Sequence, residues 1–270
     1  MTGPSLYTSS EHHVRTGIVI PTLGNRPEYL KECIASAQNT GDCLIVLVAP
    51  AKAKIDISDD SMSSIITVKD PGAGLAEAIN AGMSILPESI EFCSWIGDDD
   101  LLEPNAVRDC EEIFDVNPDA VMVFGGCRYI TSDGLTIGIN KSGQWAVPIL
   151  RFGPCLIPQP GSLFRRKVFD QIGGLDSTYG WAFDFDLFIR FSNVGKLIHT
   201  NKILASFRWH SDSLTVSQRR NSVHEASLVR RTHLPRYLVY FSYLWELPVK
   251  SLTLHAGRLV AHRASKSLDH

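Results

Sequence analysis

The chain has 270 residues, is 44% hydrophobic and 20% charged, and carries a formal net charge of −3, which fits an ordinary soluble globular protein with ample core. No apolar run reaches the roughly 18 residues of a spanning helix, and six scattered cysteines without a CxxC pair point to reduced thiols and a cytoplasmic location. From residue 216 onward nine Lys/Arg face three Asp/Glu, so the body is acidic and only the tail is basic, which argues against a nucleic-acid partner.

Residues 1–14 read as a polar, mobile leader without the basic-then-apolar pattern of a signal peptide. Gly17 to Ile20 is an expected strand that ends at Pro21-Thr22. Asn25 is the expected N-cap of a helix with Pro27 in its first turn and Leu30, Cys33, Ile34 and Ala37 as its apolar stripe. Leu44 to Val48 is a second strand, unbroken in apolarity like a buried parallel strand. Ile65 to Val68 is a third, followed by the turn sequence Asp70-Pro71-Gly72-Ala73-Gly74, a helix from Leu75 to Leu86 and a strand from Glu91 to Ile96. This alternation predicts an α/β fold whose mostly parallel sheet is flanked by helices.

The fourth strand runs into Asp98-Asp99-Asp100. Three adjacent carboxylates repel one another and call for a positive partner. A hard divalent cation, Mn²⁺ or Mg²⁺, suits oxygen ligands at the carboxyl end of a sheet. Further on, Ala120 to Phe124 and Cys127 to Ile130 read as two strands, with a turn at Asp133-Gly134. Gln144 to Pro160 reads as a lid or acceptor loop, and Leu163 to Ile172 as a strand entering a helix stopped by Gly173-Gly174.

Trp181 to Arg190 places Asp184 and Asp186 among aromatics at a helix start. Asp186 has Arg190 four residues on and is expected to pair with it. Asp184 lacks such a local partner, and its apolar neighbours would raise its basicity toward that of a general base. In Ala205 to Ser211, Arg208 and His210 offer positive charge or a metal ligand to a phosphate-bearing substrate. From Gln218 the pattern is helical, with Leu238, Phe241, Leu244 and Trp245 among its apolar positions.

The segments Ile18 to Thr22, Gly74 to Gly82, Asp98 to Asp100, Ser162 to Arg166, Gly173 to Asp176 and Phe183 to Leu187 occur in an order and spacing that resemble the family 2 glycosyltransferases of GT-A fold, from about residue 15 to 215. The resemblance implies an inverting transferase that moves one sugar from a nucleotide-diphosphate sugar to an acceptor hydroxyl. It implies Asp184 as base, Pro21, Thr22, Asn25, Asp70, Asn80, Asp98 and Asp99 on the donor, and Asp100, Asp98 and His210 on the metal. Gln159 and Trp181 become acceptor-side candidates. Ala49-Pro50 stands where many relatives read the base with an acidic pair, and the processive signature QxxRW is absent, so single addition is expected.

Residues 216–270 form the expected basic, aromatic-rich helical extension. It suits either peripheral contact with an anionic membrane, in reach of a lipid-linked or saccharide acceptor, or packing on the domain or in a homodimer. Rival readings are a sugar-phosphate nucleotidyltransferase, disfavoured by the absence of a glycine-rich loop with a basic residue after the first strand, and a non-catalytic sugar- or lipid-binding module.

Overall fold

The computed structural model describes residues 14–53, 55, 65–140, 143–209, 219–251, 253 and 255. The expected leader up to residue 13, and His210, lie outside them. The elements run β1 (Thr16–Pro21), α1 (Pro27–Gln38), β2 (Cys43–Ala49), β3 (Ile65–Lys69), α2 (Leu75–Ile85), β4 (Phe92–Trp95), β5 (Leu101–Leu102), α3 (Ala106–Val116), β6 (Ala120–Ile130), β7 (Thr136–Asn140), α4 (Ala146–Ile149), β8 (Ser162–Arg165), α5 (Arg166–Gln171), α6 (Phe183–Val194), β9 (Lys196–Arg208), α7 (Arg219–His233) and α8 (Arg236–Val239). A last helix, α9, begins at residue 243.

The strands join in the order β3-β2-β1-β4-β8-β6-β9-β5, with β7 on β6. β1 to β4 are parallel neighbours where they pair, and β6 is parallel to β9. β8 runs antiparallel to both β4 and β6. Successive residues of β1 and β2 serve opposite layers, as a pleat requires. Val19, Val46 and Val48 join the core beneath α2 and α6, while Ile18, Ile20, Ile45 and Leu47 join the one beneath α1 and α3. Gly82 lets α2 lie close on the sheet: a Cβ there would come within 2.5 Å of Val19 Cγ1 and 2.8 Å of Val48 Cγ2.

Two expectations need correction. Asn25 is exposed and does not cap α1; the capping position is Arg26, whose guanidinium has only donors and cannot accept the first helix N–H groups, so the end goes without a side-chain cap bond. The two strands expected around Gly125-Gly126 are one, β6. The glycines do not break it; they admit irregular pairing with β9, where a Cβ at Gly125 would meet Lys202 O at 2.5 Å. Among the described residues, no helix is long and apolar enough to cross a membrane.

Candidate active site

The carboxyl ends of β1, β2, β3 and β4 open into one cavity of about 700 Å³. Pro21, Thr22, Val48, Asp70 and Asp98 to Asp100 line it on that side, and Gln159, Trp181 and Asp184 line it as well. The two acidic elements are therefore brought together across a single space, as expected of the carboxyl edge of an open α/β sheet.

The triplet is held by two arginines. Arg26 Nη2 meets Asp98 Oδ1 at 2.8 Å and Arg26 Nη1 meets Asp99 Oδ2 at 2.5 Å. Thr22 Oγ1 donates to the other Asp98 oxygen at 2.5 Å, so both oxygens of this buried carboxylate are taken by protein donors. Arg208, itself buried, donates its backbone N–H to Asp100 Oδ1 at 2.9 Å and its Nε to Asp99 O at 2.8 Å. The far end of the same guanidinium bonds Ser132 O and Glu32, and its face covers the Tyr29 ring at 4.3 Å. Burial pushes the Asp100 carboxyl well above the usual range and the Asp99 charge adds to this, against the Arg208 N–H and guanidinium. Sequence reasoning gave the positive partner as a cation and missed Arg26. The available signal was a lone arginine just beyond the first strand, on the edge where the acids emerge.

Asp184 enters in the first turn of α6, with Oδ1 accepting from the Phe185 N–H at 2.7 Å. Burial lifts its pKa from 3.8 to about 6; backbone hydrogen bonds oppose the shift and the Glu225 charge adds to it. Glu225 comes from α7, in the C-terminal extension. Its carboxylate accepts the N–H groups of Gly180, Trp181 and Ala182 at 2.9, 2.6 and 2.6 Å, capping α6 from another helix. Nothing local in the sequence marks Glu225 for this role. Asp186 pairs with Arg190 at 2.7 Å as expected and also meets His233 of α7 at 2.7 Å.

Gln159 Nε2 donates to Trp95 O at 2.6 Å, which fixes the loop before β8 against the end of β4. Asp70 accepts from Gly72 N–H at 2.8 Å in the turn before α2. Asn25 and Asn80 do not line the cavity. Both groups of the Asn80 amide are bonded to the backbone of Leu175, at 2.9 and 3.0 Å, so this side chain ties α2 to the loop after α5.

No family model matches the chain. Hyaluronan synthase of Pasteurella multocida is 26% identical over 213 residues, a match covering 74% of this chain and 21% of that protein. An uncharacterized glycosyltransferase of Rickettsia conorii is 26% identical over 219 residues, covering 74% of this chain and 35% of that one. The chain thus spans between a fifth and about a third of the length of these relatives. Among solved structures, S. aureus TarS 1–349 in complex with UDP-GlcNAc superposes with a TM-score of 0.58 at 11% identity, over 80% of this chain and 66% of that one. The mannosyltransferase PcManGT from Pyrobaculum calidifontis, in complex with GDP-Man and Mn²⁺, gives 0.57 at 13%, over 96% and 81%. Over about three quarters of its length the chain is similar to glycosyltransferases, and its fold is the GT-A type of these solved transferases.

The resemblance to glycosyltransferases implies a divalent cation, and the acid wall can be tested for it. A Cβ built on Gly97 would lie 2.8 Å from Asp99 Oδ1 and 3.2 Å from Asp100 Oδ2, so these oxygens converge over a residue that has no side chain. Hard carboxylate oxygens of that kind fit Mn²⁺ or Mg²⁺. Among the described residues no group of three or more His, Cys, Asp or Glu is arranged to hold a metal. Asp98, engaged by Arg26 and Thr22, is turned to that task less than Asp100.

Proposed function

We propose that this chain moves one sugar from a nucleoside-diphosphate sugar to an acceptor hydroxyl with inversion, the acceptor being a saccharide, free or lipid-carried. The observation that carries the reading is the shared cavity: a carboxylate-rich wall on one side, and on another a half-buried carboxyl whose pKa lies near 6. TarS and PcManGT, complexed with UDP-GlcNAc and GDP-Man, support the donor class.

In this reading the nucleoside lies along Pro21, Thr22 and Asp70, and the diphosphate lies toward Asp99 and Asp100. Asp184 takes the acceptor proton as that oxygen bonds to the anomeric carbon, and the nucleoside diphosphate departs with the electron pair of the broken bond. A divalent cation on Asp100, with Asp99 or Asp98 and His210 as further candidates, would supply Lewis-acid neutralisation of the leaving diphosphate. Gln159 and Trp181 border the acceptor side. Asn25 and Asn80, outside the cavity, are given no donor contact. Free, mostly buried cysteines support a cytoplasmic setting.

A panel of nucleotide sugars, offered with Mn²⁺ or Mg²⁺, tests this directly. Release of nucleoside diphosphate from one base class, with a matching rise in melting temperature, is expected. Release of pyrophosphate, or neither binding nor turnover across the panel, would overturn the assignment.

A further inference from the structure

The last helices depart from the usual arrangement of a surface helix. Tyr237, Tyr240, Phe241, Tyr243, Leu244 and Leu247 all face solvent, with Tyr240 83% and Leu244 77% exposed. Positions 237, 240, 241, 244 and 247 recur at helical spacing in the sequence, running from α8 through the turn at 240–242 into α9. The inner face of the same stretch is mixed: Ser242 and Glu246 are buried beside the partly buried Leu238, Val239 and Trp245, and Glu246 is held by Arg231 at 2.5 and 2.9 Å. A helix that buries its ion pair and exposes its aromatics requires an apolar partner for its outer face.

Charge and residue type decide the partner. Among the described residues of this stretch, Arg236 and Lys250 flank the exposed aromatics, and the lone acid, Glu246, is already neutralised by Arg231. A second copy of the chain docking on this face would bring like charge to like charge. An anionic lipid surface supplies the opposite sign, and tyrosines beside leucines suit the headgroup boundary, where a ring can be part apolar and part wet. The face is also fixed relative to the cavity: Trp245 packs edge-on to Phe152 at 6.2 Å, and Arg230 donates to Gly153 O at 3.1 Å, two residues before the cavity-lining Cys155.

We propose that residues 236–250 form a docking surface for an anionic membrane, with the tyrosine, phenylalanine and leucine side chains in the headgroup region and the flanking cations on lipid phosphates. The proposal is independent of the transferase reading, since binding is measured without turnover.

The test is co-sedimentation of the full chain with phosphatidylcholine vesicles, with and without phosphatidylglycerol, at low and high salt. Binding to the anionic vesicles is expected, much weaker binding to phosphatidylcholine alone, and a decrease on adding salt. The triple variant Tyr240→Ser/Phe241→Ser/Leu244→Ser alters only exposed positions, so its melting curve should match the parent while its vesicle binding falls about tenfold or more. Three results would overturn the proposal: no anionic-vesicle binding by the parent, undiminished binding by the triple variant, or a dimer in ultracentrifugation that the triple variant abolishes.

Discussion

On the proposed mechanism, Asp184 sets the pH response. With its pKa lifted to about 6 by burial, it is a competent base only above that value, so transfer should rise through pH 6 and then level off. Asp184→Asn should lose about 100- to 10,000-fold in kcat while donor-induced stabilisation persists. The stability effect has the opposite sign. Between 3.8 and about 6 the folded chain binds more protons than the unfolded one, so this residue's contribution is full below that window and is lost as pH rises through it. Asp184→Asn should therefore be the more stable protein at neutral pH, by up to about 3 kcal/mol, in denaturant titrations. Glu225→Gln removes a charge that raises the Asp184 pKa, so the acid limb of the rate profile should move to lower pH; an unmoved limb would refute the coupling. The acids themselves were legible in the sequence because their signal is local, a run of carboxylates at a strand end or among aromatics. Their partners were not: Arg26 lies 73 positions from Asp99, and Glu225 lies 43 from Ala182.

Legibility of the elements follows the same logic. β1 and β2 and their helices were readable because buried parallel strands are continuous in apolarity and α1 repeats its buried residues at helical spacing. β9 was not, since its first half, Lys196 to Lys202, is polar and only partly buried, and pairing with β6 rather than composition makes it a strand. β6 was read as two pieces because glycine pairs usually punctuate a chain, yet here they allow close approach of a neighbouring backbone. Gly125→Ala tests that account. Its Cβ would meet the Lys202 carbonyl, which is backbone and cannot swing aside, so a loss of about 1–3 kcal/mol is expected in thermal or urea unfolding. Gly134→Ala in the β6–β7 turn meets no atom within 4 Å and should cost less, from its positive φ alone. Equal losses would count against the packing argument.

α7 is integral to the body it follows. Val229 is fully buried in the core that contains Phe185 and Phe188, and Arg230 lies over the Phe185 ring. His233 and Arg190 together hold the Asp186 carboxyl below its usual range, although burial acts to raise it. A carboxyl held low stabilises the fold above the ordinary aspartate pKa and loses that contribution as pH falls through the depressed one. His233→Ala should thus cost about 1–2 kcal/mol above the ordinary aspartate range, with the deficit shrinking only as pH falls through the depressed Asp186 pKa, as followed by melting temperature against pH. Ending the chain before α7 removes much more: the Glu225 cap on Gly180 to Ala182, the Val229 burial and the His233 pair go together. Each is a kilocalorie-sized contribution to a domain stable by about 5–15 kcal/mol in all, so the truncated chain should lose a sharp melting transition or melt at least about 10 °C lower. Because the same helix caps the segment leading to Asp184, donor turnover should fail in the truncated chain even where a folded fraction survives. A truncated chain that melts cooperatively at the parent temperature would show that α7 is an appendage after all.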